Sequence, residues 1–376
     1  MPNQRLLFRA VPRAALYLAF AITGAVTNLL GPMLPELERQ WRMDHRQSGE
    51  LFTLQFAFST LTSIIASRNL RFAAPLGMVL IGCGVFLLSH SDLQLAKAAV
   101  ILFGAGLGFS ITSINLLVAF ESAPERTSFE VALLNFIWVA GAIGFALAYS
   151  YIPGMPWKGL LAGLASLAIL SGVTLAATLR MLPRTSTPSQ VAPGFNPLSL
   201  LFALFFFLYV GVEVGLSGWL PLHVSRVTQS SMGATAVAIF WGAMLTGRLL
   251  TTVFVRYFPR RMYLFLSLGT ALLATLMLAY SHSAATLLFA AGIAGAGMSA
   301  LFPLNLAWFA FSLPGHRSGW VLACGGLGAA LLPALMGAVS THNDSIRVGL
   351  VVPMVAVTLL MVIASFYREP GGTEQP

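Results

Sequence analysis

Glu213 is a lone carboxylate inside the apolar run from Leu198 to Leu220. Tyr209 and Ser217 lie four residues before and after it, so a helix places the three side chains on one face. At membrane depth a charge costs ~2.5 kcal/mol or more, so such a residue generally has a partner or a task. A carboxylate between a phenol and a hydroxyl is suited to binding sugar hydroxyls or to exchanging a proton. The structural alternative is a protonated Glu213 that joins two helices by a hydrogen bond.

Arg248 is the second charge inside an apolar run and the obvious candidate partner of Glu213. Counted at ~1.5 Å per residue from the cytoplasmic ends of their predicted spans, Arg248 lies at ~12 Å and Glu213 at ~24 Å. This difference predicts that the two side chains do not touch. Arg248 is instead expected to cap carbonyls near a cytoplasmic gate and to reach Glu130, at the start of the fifth predicted span. Direct contact with a solute is the alternative for Arg248.

Several amides lie inside apolar runs, where each must find a partner or face water; they are Asn28, Gln55, Asn115, Asn135 and Asn305. Such a side chain offers two donors and an acceptor, which is the mixture that a polyhydroxylated ligand needs. As a set, these residues predict a polar cavity. Taken singly, each amide is equally explained as an interhelical tie, worth ~0.6 kcal/mol.

Trp138, Trp241 and Trp308 lie within predicted spans and not at their ends, where interfacial tryptophans concentrate. An aromatic face stacks on the apolar side of a pyranose or on any flat lipophile. We therefore include all three among the candidate solute-binding residues, with core packing as the alternative for each.

The elements that carry these residues are transmembrane helices. Hydrophobic residues make up 57% of the 376 residues, charged residues only 9%, and the mean hydropathy is +0.83. Runs long enough to cross a bilayer recur about twelve times. The predicted spans are 14–31, 51–66, 73–89, 98–120, 131–151 and 157–179, then 198–220, 232–255, 262–280, 284–309, 318–339 and 348–366.

The spans divide into two sets of six around a polar segment, 180–197, that contains four prolines. We predict an N-terminal six-helix bundle (1–179), a cytoplasmic linker (180–197), a C-terminal six-helix bundle (198–367) and a disordered tail (368–376). Most Lys and Arg residues fall on one side if the N-terminus is cytoplasmic, so both termini are expected there.

The two halves also resemble each other in sequence. Gly106, Gly108 and Ser110 in the fourth span have counterparts at a constant offset in Gly295, Gly297 and Ser299 of the tenth span. Close helix packing alone is the other explanation of the glycines. With the helix count and the linker, the echo favours a duplicated bundle.

These features, with two local motifs, resemble the major facilitator superfamily over nearly the whole chain. Residues 247–250 (GRLL) and 256–261 (RYFPRR) are similar to the second-half copy of that family's cytoplasmic loop signature. Residues 209–219 (YVGVEVGLSGW) resemble the seventh span of its fucose-permease-like sugar porter branch. Gly31 and Ile111 occupy the positions where fucose permease has membrane carboxylates. This departure counts against fucose as the substrate and against the usual proton-coupling scheme.

The resemblance implies a major facilitator fold, in which the first, fourth, seventh and tenth helices line a central cavity and transport proceeds by alternating access. The expected function is secondary transport of a sugar or similar polar solute, with Glu213 as the candidate proton-coupling residue. Export of a lipophilic drug or metabolite is the alternative, and a non-transporting membrane sensor or scaffold is a third possibility.

Other functional classes find little support. The six histidines fall in predicted loops or at span ends, Cys83 and Cys324 have no metal-ligand spacing, and no phosphate-binding Gly-Lys-Ser or Gly-Lys-Thr loop exists. Neither an enzyme nor a metal or other cofactor is therefore expected. The net charge of +9 comes from scattered residues, which argues against nucleic acid. The expected partners are a small solute, protons and membrane lipid, for a functional monomer in the plasma or inner membrane.

Overall fold

The computed structural model describes residues 2–122, 124–151, 156–181, 196–254, 257–313 and 319–367, and these residues contain helices but no strand. The first half comprises α1 (Pro2–Thr27), α2 (Leu30–Trp41), α3 (His45–Ala66), α4 (Leu70–Ser89), α5 (Leu93–Glu121), α6 (Pro124–Tyr151) and α7 (Trp157–Thr178). The second half comprises α8 (Pro197–Thr228), α9 (Gly233–Phe254), α10 (Arg260–Tyr280), α11 (Ala284–Met298), α12 (Leu301–Ser312), α13 (Gly319–His342), α14 (Ile346–Gly349) and α15 (Val351–Ser365).

Ten helical segments in the described part are long and apolar enough to cross a membrane, and the bent pair of α1 and α2 raises the number to eleven. Among the ten, α11 with α12 and α14 with α15 each count as one segment. The twelfth segment is α3, whose 22 residues have the length of a span but a more polar composition. The prediction of an all-α membrane protein is confirmed.

Three spans are interrupted, and each interruption lies three to four residues before a proline. Proline has no N–H to donate to the carbonyl four residues earlier, and its ring crowds that carbonyl. Pro32, Pro303 and Pro353 therefore each weaken the helix at the point where α1, α11 or α14 ends. Other prolines, such as Pro221 in α8, lie inside continuous helices, so the proline alone does not dictate a break.

The chain forms two compact units, one of Met1–Met43 with Glu50–Gln190 and one of Asp44–Gly49 with Val191–Pro376. In the first unit α4 packs on α5 and α7, and α1 packs on α6. In the second unit α10 packs on α11 and α15, and α8 packs on α13. Corresponding spans thus pair in the same way within each unit. Most of the predicted linker, and all of the predicted tail, lie outside the described residues.

Small residues permit these close contacts, but the predicted counterparts Gly106 and Gly295 do not meet corresponding helices. A Cβ added to Gly104 would collide with the backbone of α3, and one added to Gly106 with the backbone of α4. In the second unit the equivalent helices, α9 and α10, are met by Gly295 and Gly297. Gly104 and Gly295 therefore meet corresponding helices of the two units, and so do Gly106 and Gly297. Packing accounts for all four glycines.

Candidate functional site

Glu213 and Arg248 form an ion pair in the second unit, contrary to the prediction that they do not touch. The distance from Arg248 Nη2 to Glu213 Oε1 is 4.0 Å. The prediction measured depth from the uncertain cytoplasmic ends of the two spans. The short turn between Thr228 and Gly233 sets the register instead, because both charged residues lie 15 positions from it. At ~1.5 Å per residue, both therefore lie ~22 Å from the turn on adjacent antiparallel helices.

Tyr209 and Ser217 flank Glu213 on α8, and Phe302 lies near the Tyr209 ring. The Tyr209 hydroxyl is buried beside both charges but is not held in a hydrogen bond of ordinary geometry. Its ring lies 6.2 Å from that of Phe302, measured between centroids. Ser217 Oγ donates to the main-chain oxygen of Glu213 at 2.8 Å, so the hydroxyl serves its own helix and not the carboxylate.

The pair is incompletely satisfied and partly open. Arg248 Nε is buried without a hydrogen-bond partner among the described residues. The side chains of Arg248 and Glu213 nevertheless keep 26% and 12% of their surface exposed. A bound hydroxyl or anionic oxygen could therefore accept a hydrogen bond from Arg248, and a hydroxyl could also donate to Glu213. The exposed part of both side chains leaves room for such a group.

Glu130 has partners of its own in the first unit. The Tyr17 hydroxyl donates to Glu130, and Arg13 Nη1 lies 3.8 Å from Glu130 Oε1. Both partners come from α1, where they are four residues apart and so share a face. Arg248 was the predicted partner of Glu130, and Arg13 and Tyr17 were not predicted. Their spacing of four residues could have indicated a shared polar face on the first helix.

Three of the amides, Asn28, Asn115 and Asn135, bond first to their own helices. Each donates through Nδ2 to the carbonyl four residues earlier, at 3.1, 2.9 and 2.8 Å respectively. Asn28 and Asn115 are half-buried and Asn135 is exposed. Their role in a solute cavity stays a prediction.

Gln55 differs from these three amides because it is fully buried and bonds to another helix. Its Nε2 donates to the main-chain oxygen of Thr27 at 2.9 Å.

Asn305 and Trp308 on α12 are buried against Tyr367, which follows the last span. The Tyr367 hydroxyl donates to Asn305 Oδ1, and the Trp308 and Tyr367 ring centroids are 5.2 Å apart. Burial raises the pKa of Tyr367, so its hydroxyl remains a donor. Tyr367 was not among the predicted site residues, because the predicted last span ends at residue 366.

Of the other two tryptophans, Trp241 is buried, with its ring edge-to-face against Phe240 at 5.4 Å between centroids. Trp138 is half-buried on α6. The contact between Trp308 and Tyr367 is one of packing between distant parts of the chain, whereas the contact between Phe240 and Trp241 joins neighbours on one helix. A solute-binding role for the three tryptophans stays a prediction.

Comparison with known proteins assigns this chain to a family. The model of the Major Facilitator Superfamily matches residues 16–284. The mouse sodium-dependent glucose transporter 1A is 23% identical over 315 residues, which cover 79% of this chain and 73% of the relative. The probable nitrate/nitrite transporter NarK2 of Mycobacterium tuberculosis is 26% identical, covering 92% and 94%. The glucose/galactose transporter of Brucella abortus is 23% identical, covering 87% of each chain.

Solved structures show the same fold. A bacterial homologue of the human lysosomal transporter Spinster, in an inward-facing and occupied conformation, has a TM-score of 0.75 and 14% identity, covering 96% of each chain. The transporter FucP, in the outward conformation, has a TM-score of 0.62 and 18% identity, covering 96% of this chain and 99% of FucP. With a family model that matches most of its length, this chain belongs to the major facilitator superfamily.

Proposed function

We propose that this chain is a secondary transporter that moves a small polar solute, a sugar or similar polyhydroxylated compound, by alternating access. We further propose that Glu213 carries the coupling proton. The single observation that carries the proposal is the partly open cluster of Glu213, Arg248 and Tyr209. A carboxylate beside an arginine can switch between an ion pair and a protonated, hydrogen-bonding acid as a solute binds.

The relatives support a polar solute over a lipophilic one. Sugar transporters from mouse and Brucella abortus are named among them, and the cluster offers hydrogen-bonding groups at membrane depth. Trp241 and Trp308 are buried, so the tryptophans do not favour a lipophile over a sugar, and the choice rests on the relatives and on the polar cluster. Transport, and not catalysis, is the activity that the family supports.

A small inorganic anion is the second candidate solute. The nitrate/nitrite relative matches 92% of this chain, and Arg248 Nε is buried without a hydrogen-bond partner among the described residues. An anion at this place would have to displace Glu213 from Arg248 or find it protonated. In the second case nitrate would enter together with a proton on the same carboxylate.

The test is the internal pH of proteoliposomes as solutes are added outside in a sodium-free buffer. Acidification by a monosaccharide, lost in Glu213→Gln, is the expected result for the wild-type protein. Glu50→Gln is the matched control, because Glu50 is a partly exposed carboxylate paired with Lys97 at 2.9 Å. Glu50→Gln should acidify as the wild type does.

The other outcomes assign other functions. Acidification by nitrate alone would select the anion, and competition by hydrophobic cations alone would select lipophile export. Solute entry that requires Na⁺ and leaves pH unchanged would move the coupling away from Glu213, in keeping with the relative named as sodium-dependent. An absence of flux for every solute would leave the sensor or scaffold function.

A further inference from the structure

The first span is broken where main-chain oxygens lose their helical partners. α1 ends at Thr27 and α2 begins at Leu30, with a bend of 41° between the two segments. Because Pro32 has no N–H, it cannot donate to the carbonyl of Asn28. Thr27 lies 14 residues after Arg13, which is ~21 Å along the helix and within the ~30 Å hydrocarbon core. Irregular backbone at this depth needs other protein groups, water or an ion to satisfy it.

Gln55 of α3 is directed at this break and is itself incompletely satisfied. The side chain is fully buried, and Nε2 donates to the main-chain oxygen of Thr27 at 2.9 Å. Its Oε1 is buried with no hydrogen-bond partner among the described residues. A buried amide oxygen without a donor is costly, so its presence calls for a bound group that the chain does not itself supply.

The side-chain donors at the break are already used. Asn28 Nδ2 donates to the oxygen of Gly24 at 3.1 Å, and Thr27 Oγ1 donates to the oxygen of Thr23 at 2.7 Å. The oxygens that can still accept at the break are Gln55 Oε1, Asn28 Oδ1 and the Asn28 carbonyl, to which Pro32 cannot donate. The Asn28 oxygens lie at the C-terminal end of α1, and Gln55 of α3 reaches the same place through its bond to Thr27. The dipoles of the α1 C-terminus and the α2 N-terminus oppose each other here, so the sign of the site is set by these oxygens. The site therefore favours a positive charge.

We propose that the break between α1 and α2 binds a hard monovalent cation, Na⁺, through oxygens of Gln55 and Asn28. Oxygen ligands suit hard cations, and interrupted transmembrane helices hold Na⁺ through unwound carbonyls in other transporter folds. A neutral ligand set suits a monovalent ion, since Ca²⁺ and Mg²⁺ sites use carboxylates. This inference is independent of the solute and of Glu213, because it concerns ion binding by the first unit.

The test is cation binding to the purified full-length protein in detergent, without any solute. Binding of ²²Na⁺ and the shift in thermal unfolding are measured at constant ionic strength in Na⁺, K⁺ or choline chloride at pH 8. The expected result is a saturable stabilisation by Na⁺ that choline does not reproduce. In Gln55→Met, which keeps the side-chain length and removes the amide, the apparent Kd for Na⁺ should rise about tenfold or more.

Two further variants complete the test. Gln94→Met is the matched control, because Gln94 is an exposed glutamine of the same unit, at the start of α5, and its Kd should not change. If Gln55→Met does not fold, Gln55→Glu serves instead, and its carboxylate should bind Na⁺ at least as tightly as the wild type. Equal stabilisation by Na⁺ and choline, or an unchanged Kd in Gln55→Met, would overturn the proposal, as would weaker Na⁺ binding in Gln55→Glu.

Discussion

The ion pair of Glu213 and Arg248 should show a strong and asymmetric energetic coupling. At 4.0 Å, two unit charges attract by about 4 kcal/mol for an effective dielectric constant of 20. The partial exposure of both side chains admits water, so we take about 3 kcal/mol, the low end of the cost of breaking a buried pair. Arg248 left alone stays charged, whereas Glu213 left alone can take up a proton. Glu213→Gln should therefore cost about 3 kcal/mol and Arg248→Gln about 1–2 kcal/mol.

The assay is a double-mutant cycle on the free energy of unfolding in detergent micelles, followed by circular dichroism. Glu213→Gln with Arg248→Gln should cost less than the sum of the single variants by about 2 kcal/mol or more, because no charge is left unpaired. The control cycle uses Glu50 and Lys97, whose atoms are closer, at 2.9 Å, but whose side chains are 41% and 30% exposed. Its coupling should stay below about 1 kcal/mol because water competes for both charges. Additivity at Glu213 and Arg248 within about 0.5 kcal/mol would refute the reasoning.

Two packing predictions use the same unfolding assay. Gly295→Ala should destabilise the protein by about 2 kcal/mol or more, because the added Cβ would lie 2.0 Å from the main-chain oxygen of Phe240. Gly144→Ala meets no atom within 4 Å and should stabilise by about 0.5–1 kcal/mol through helix propensity, so equal effects at the two glycines would contradict the packing. Tyr367→Phe should cost about 1–3 kcal/mol, since it leaves the buried Asn305 without its donor. Adding Asn305→Leu to Tyr367→Phe should recover part of that loss, and a further loss of the same size would argue against the hydrogen bond.

The membrane class of this protein and its approximate helix positions follow from the sequence alone. Long apolar runs have one low-energy arrangement in lipid, because a helix satisfies every backbone group within the segment. Hydropathy therefore located every span, although the first predicted span ends ten residues before Trp41 and the seventh ends eight before Thr228. The motif around Glu213 pointed to the superfamily that the comparison confirms. The three helix breaks before Pro32, Pro303 and Pro353 were not predicted, and Pro221 shows that a proline can also lie within an unbroken helix.

The partners of the polar residues were decided by the tertiary structure. Glu213 meets Arg248 because a short turn sets the relative depth of α8 and α9. The estimate from uncertain span ends had separated the two residues in depth by ~12 Å. Asn305 is joined to Tyr367, a residue beyond the predicted last span. Local sequence determines which segments are helical, because those hydrogen bonds are local. Which side chains pair depends on the rotation, depth and packing of helices that are distant in the chain, and only the folded protein specifies these.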